Sequence, residues 1–90
     1  MLKIVSSNRF KKDLKLALRR GYNIRLLEEV VNKLAQGVPL EPKHRDHELS
    51  GDFKGLRECH VLPDWLLVYQ VIEDELVLFL ARTGTHSDLF

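Results

Sequence analysis

The feature that most constrains this chain is the run WLLVYQVI, Trp65 to Ile72, in which seven of eight residues are apolar or aromatic. A stretch of that length, rich in β-branched and aromatic side chains and bounded by turn-forming residues, reads as a strand. Being apolar on both of its faces, it needs cover on both sides and belongs near the middle of a sheet. ELVLFLART, residues 75–83, is nearly as apolar, and Glu73-Asp74 is short enough for a hairpin turn pairing the two runs antiparallel. Residues 53–59, FKGLREC, are weakly amphipathic and supply a third strand.

The first half has a different period. LKIV, Leu2 to Val5, is a short strand. Ser7 or Asn8 caps a helix with Phe10, Leu14, Ala17 and Leu18 at helical spacing, and Gly21 stops it. Asn23 caps a second helix with Ile24, Leu27, Val31, Leu34 and Ala35 along one stripe, ended by Gly37 and Pro39. The two helices should form a hairpin that covers one face of the sheet. Residues 38–52, VPLEPKHRDHELSGD, carry two prolines and no period, and read as a long loop of the kind that often holds function. The order is β-α-α-β-β-β. This predicts an α+β fold, an N-terminal helical hairpin packed on a mainly antiparallel sheet, with residues 1–90 as one domain.

No apolar stretch approaches the roughly 18 residues that span a bilayer, so no membrane association is expected. MLKIVSSNRFKK lacks the apolar region and cleavage site of a signal peptide, and a lone Cys59 suits a reducing compartment, which together predict a cytoplasmic protein. The net charge of +1 hides an asymmetry: residues 1–45 hold eleven Lys/Arg against four Asp/Glu, residues 46–90 three against nine. A basic half suits a polyanion, although solvated helices are often basic without any partner.

All four histidines lie in the second half, at His44, His47, His60 and His86. His44 reads as a solvated loop residue. If the last two strands form a hairpin, His60, Asp64, Arg82 and His86 gather at its open end, and His47 enters from the loop. Several imidazoles near neutrality can take and give protons, and a guanidinium can counter charge building on a phosphate. Trp65 and Phe90 can stack on unpaired bases. Together these suit metal-free RNA cleavage by the 2′-hydroxyl. Blander readings exist for each residue: His60 and Asp64 as a structural pair, Trp65 as core, Arg82 paired with an acidic neighbour. No metal or other cofactor is expected, because His44-x-x-His47 is no zinc signature and there is no cysteine pair. Phosphate-binding glycine loops and a serine nucleophile elbow are also lacking.

DHELSG, FKGLRECHVLPDWLLVY and RTGTHSDLF, three ordered blocks between Asp46 and Phe90, resemble the YafQ branch of the RelE/ParE toxin superfamily. The resemblance implies a small endoribonuclease that cuts mRNA on the ribosome and arrests translation. It also implies a cognate antitoxin, typically of ribbon-helix-helix type, with operator DNA reached only through the antitoxin complex. Carried over, the catalytic set is His47, His60, Asp64 and His86, with Arg82, Trp65 and Phe90 binding substrate. The alternatives are a ParE-like gyrase poison, which generally lacks these histidines, and a degenerate toxin that only binds its antitoxin.

Overall fold

The computed structural model describes residues 1–90. β1 (Lys3–Ser6) leads into α1 (Asn8–Arg19) and α2 (Ile24–Ala35), followed by a very short β2 (His47–Glu48), then β3 (Arg57–Leu62), β4 (Trp65–Ile72), β5 (Val77–Gly84) and a terminal one-turn helix, α3 (His86–Leu89). The helix starts are chemical. The Ser7 hydroxyl accepts from the Phe10 amide at 2.9 Å, and the Asn23 side chain accepts from the Arg25 amide at 3.1 Å, each satisfying a donor the first turn leaves orphaned.

The five strands lie in the order β1-β5-β4-β3-β2, with β1 parallel to β5 and the other pairs antiparallel. β4 is therefore central, as its composition demands. Its alternation divides the burial: Trp65, Leu67 and Tyr69 join a core with Phe10, Ala17, Leu27, Val31 and Leu34 of the helices, while Leu66 and Val68 are buried on the other side.

Two boundaries depart from the sequence expectation. The third strand begins at Arg57 rather than residue 53, because Gly51 and Gly55 take positive φ (66° and 97°) and fold Gly51–Phe53 into a 3-10 turn. The expected two-residue turn at Glu73-Asp74 is a 3-10 turn over Glu73–Glu75, closed by Leu76 in the left-handed region at φ 55°. The expected loop also holds more structure: a 3-10 turn at Pro42–His44, and His47 and Glu48 paired with β3.

Candidate active site

β2 pairs with β3 so that His47 lies directly opposite Glu58. Directly paired residues share a face, and residues two apart on a strand do too, so His47, Glu58 and His60 all project from one side. The Glu58 carboxylate is the hub. His47 Nε2 lies 3.7 Å and His60 Nε2 3.8 Å from the same oxygen, Oε1. Glu58 is only 5% exposed, whereas the His47 side chain is half exposed. One buried carboxylate thus faces two imidazoles that solvent, or a substrate, can reach.

The far nitrogen of each ring is tied to a backbone carbonyl: His47 Nδ1 to Arg45 O at 2.6 Å and His60 Nδ1 to Pro63 O at 3.2 Å. A carbonyl only accepts, so Nδ1 carries the hydrogen in both rings. Nε2 is left as the ring nitrogen without a backbone partner, and it is the atom facing Glu58. The structure corrects the expectation that His44 is solvated. It is buried, and its Nδ1 donates to the His60 carbonyl at 2.6 Å, fastening the Pro42–His44 turn to β3.

Beneath the pair lies a polar brace. The buried Tyr69 hydroxyl donates to Asp46, and Arg57 Nε donates at 3.3 Å to both Asp46 and the Tyr69 oxygen. Asp46 precedes His47, so this brace sets where β2 meets the sheet. Burial, helped by the Asp46 hydrogen bond, holds the Tyr69 phenol well above its ordinary 10. Burial pushes the Cys59 thiol up to about 12, so it stays neutral and no thiolate nucleophile adjoins His60.

On β5, Arg82 lies opposite Val68, which lies opposite Glu58; Gly84 lies opposite Leu66, which lies opposite His60. Two strand spacings thus separate the backbones of His60 and Gly84, about 10 Å. His86 follows two residues later at the start of α3. Its exposed ring is 5.1 Å from that of Phe90, which in turn meets Phe53 edge-on at 5.1 Å. Arg82 grips Asp13 of α1 through Nε at 2.7 Å and Nη2 at 3.1 Å, leaving Nη1 uncommitted. Its guanidinium pKa is raised by that pairing.

The structure pairs His47 with His60 across Glu58 and sets Arg82, His86 and Phe90 on the far side of β4, along β5 and α3, but it treats two expected residues differently. Trp65 is corrected: it is 2% exposed, meets Tyr22 edge-on and donates Nε1–H to Thr83 Oγ1 at 2.9 Å, so no face is open for a base. Asp64 sits exposed on the β3–β4 turn and makes no hydrogen bond or ion pair to an imidazole; the carboxylate that faces the imidazoles is Glu58. Glu58 was legible only as the residue two before His60, a strand spacing that puts both on one face. The set makes no metal cage, since no group of three or more His, Cys, Asp or Glu is arranged to hold an ion.

Residues 2–90 match the family described as the bacterial toxin of type II toxin–antitoxin system, YafQ. The chain is 41% identical over 85 residues to the mRNA interferase toxin YafQ of Escherichia coli K12, covering 93% of this chain and 90% of that protein. Among solved structures it superposes on a metal-bound toxin from Helicobacter pylori with TM-score 0.95 at 51% identity, covering both chains fully. It also superposes on the E. coli DinJ–YafQ complex with TM-score 0.90 at 37% identity, covering 100% of this chain and 99% of that one. No helix here is long and apolar enough to cross a membrane. With the family match over residues 2–90, 41% identity across most of the chain and superposition over its full length, the chain belongs to the YafQ family of bacterial toxins of type II toxin–antitoxin systems.

Proposed function

We propose that residues 1–90 act as one toxin domain, a ribosome-dependent endoribonuclease that cuts mRNA and so halts translation until a cognate antitoxin binds it. The observation that carries this reading is the pair of Nε2 atoms, on His47 and His60, set against one oxygen of a buried carboxylate. RNA cleavage needs one group to take the 2′-hydroxyl proton and another to protonate the departing 5′-oxygen. As the 2′-oxygen bonds to phosphorus and the bond to the 5′-oxygen breaks, a 2′,3′-cyclic phosphate and a 5′-hydroxyl result.

His47, His60 and His86 are the proton carriers, and Glu58 holds the first two in register. The uncommitted Nη1 of Arg82 counters charge on the phosphoryl oxygens, Asp64 on the exposed turn relays protons with solvent, and Phe90 supports a flanking base. Every step uses the chain's own side chains and none is routed through a metal. The exposed Lys11, Lys12, Lys15 and Arg19 on α1 suit RNA phosphates or an acidic antitoxin segment. The antitoxin is of ribbon-helix-helix type, and operator DNA is reached only through it.

Primer extension on a defined message in a ribosome complex tests this, with wild type beside His60→Ala and His86→Ala and each reaction repeated in EDTA. Cuts in the decoding-site codon that persist in EDTA and fade in both variants are expected. Equal cutting by the variants would remove these histidines from the chemistry, and loss in EDTA would remove the metal-free mechanism.

A further inference from the structure

α3, with His86 at its first position, is four residues long. A single turn has no stability of its own, since helix nucleation is unfavourable. Something outside it must fix where the His86 ring points.

The fastening is polar and converges on Asp88. The Thr85 amide donates to Asp88 Oδ2 at 2.9 Å, and the Asp88 amide donates to Thr85 Oγ1 at 3.2 Å, a reciprocal capping box. Arg20, the residue that closes α1, then adds a fork: Nη1 donates to Oδ2 at 2.7 Å and Nη2 to Oδ1 at 3.2 Å. The approach is close enough that a Cβ on Gly84 would sit 2.9 Å from Asp88 Oδ2.

Arg20 is itself well referenced. Seven residues earlier on the same helix, Asp13 accepts from Arg82 at 2.7 Å and from the Thr83 amide at 3.2 Å, where β1 no longer covers the β5 edge. Positions seven apart share a helix face about 10 Å apart along the axis. α1 thus grips the C-terminal segment twice, at the end of β5 and at α3, and Phe10 and Ala17 anchor the helix in the core. The Arg20 and Asp88 side chains are 38% and 25% exposed. An ion pair so open to water contributes little to global stability, whereas a bidentate fork fixes orientation well.

We propose that Arg20 and Asp88 are positioning residues that aim His86 at the scissile phosphate from the far side of the site. This rests on the nuclease reading given above. Misplacing a reacting group by an ångström slows chemistry by as much as about 100-fold, so loss of the fork should reduce turnover without altering folding.

The test is a cycle of four proteins in the ribosome-bound message assay: wild type, Arg20→Gln, His86→Ala and the double variant. Arg20→Gln is expected to lower kcat by roughly tenfold with KM unchanged, and to have no further effect in the His86→Ala background. Arg20→Lys keeps the charge but not the fork, and should also lose activity; full activity in Arg20→Lys would assign Arg20 to an RNA phosphate and overturn the proposal. Equal losses from Arg20→Gln with and without His86 would overturn it as well. If His86→Ala cuts like wild type, the catalytic assignment of His86 fails first and the positioning role fails with it. If His86→Ala is impaired but the losses multiply, only the positioning role fails. A readout independent of turnover is the His86 ring proton shift beside Phe90, which should move in Arg20→Gln while those of His47 and His60 stay; unmoved His86 signals would also overturn the proposal.

Discussion

His60 and His86 are held in place by opposite means. His60 sits on β3 between Cys59 and Val61, whose side chains lie in the core at 0% and 5% exposure. Its backbone cannot move without moving the strand, and its ring is held by Pro63 O at 3.2 Å. His47 shares that rigidity through the Asp46–Tyr69–Arg57 brace. In α3, by contrast, no residue is buried, and the helix is held by a capping box, one ion pair and the Phe53–Phe90 edge contact. Packing fixes one wall of the site, and the Thr85–Asp88 and Arg20–Asp88 bonds fix the other. Changes to the sheet wall should therefore alter stability and cleavage together, and changes to the α3 wall should alter cleavage alone, because a short terminal turn frays without unfolding the rest.

Glu58→Gln probes the packed wall and carries the largest expected effect. The amide keeps the shape of the side chain but replaces the charge that both Nε2 atoms face. Cleavage should fall by about 100-fold, the scale of a lost proton-transfer arrangement. Because the Glu58 side chain is buried, stability should fall too, by about 1 kcal/mol in urea unfolding. A wild-type cleavage rate would detach the histidine pair from the chemistry.

Thr85→Val probes the other wall. It removes the hydroxyl that accepts from the Asp88 amide and leaves the volume in place. Local helix stability falls by about 1 kcal/mol, yet the urea midpoint of the whole chain should not move. Cleavage should drop roughly tenfold as His86 loses its aim. A shifted midpoint would show α3 to be part of the cooperative unit, and would erase the contrast between the walls.

What the sequence discloses follows the same division. Periodicity and capping residues gave away β4, β5 and both long helices, because burial and helix ends impose local patterns: the continuous WLLVYQVI, Ser7, Asn23, Gly21 and Gly37. Those patterns also misled at FKGLREC, where Phe53 and Leu56 look like strand residues but two left-handed glycines bend the backbone first. The histidines and Arg82 stood out because their chemistry is rare. The partners did not. Glu58 reads as one more strand carboxylate, and nothing in the chain ties Asp13 to Arg82 or Arg20 to Asp88, which lie 69 and 68 residues apart. Trp65 erred in the other direction, since an indole that can stack on a base can equally close a core. Long-range polar pairs depend on where strands cross, and composition does not contain that.

Alkaline pH offers the gentlest way to separate the two walls, and its sign follows from which groups are buried. Burial, with the Asp46 and Glu58 carboxylates adding to it, pushes the Cys59 thiol up to about 12 from its ordinary 9.0, and burial likewise raises the Tyr69 phenol above 10. Between those limits the folded chain keeps protons that the unfolded chain releases, so these groups' contribution is intact below pH 9 and is lost as pH rises from about 9 toward about 12. The α3 fastening does not titrate there. Pairing with Asp88 raises the Arg20 guanidinium, and the Arg20 bond holds the Asp88 carboxyl well below its ordinary 3.8, so both stay charged, and the clamp weakens only in acid below the usual carboxylate range. The urea midpoint should decline steadily above pH 9, with a shallower slope in Cys59→Ala, while the Phe90 ring-current shift on His86 holds constant from pH 9 up to the onset of unfolding. A midpoint that stays flat to pH about 11 would mean that the thiol and phenol ionise in place at little cost, and that the sheet wall is no more tightly sealed from water than the helix beside it.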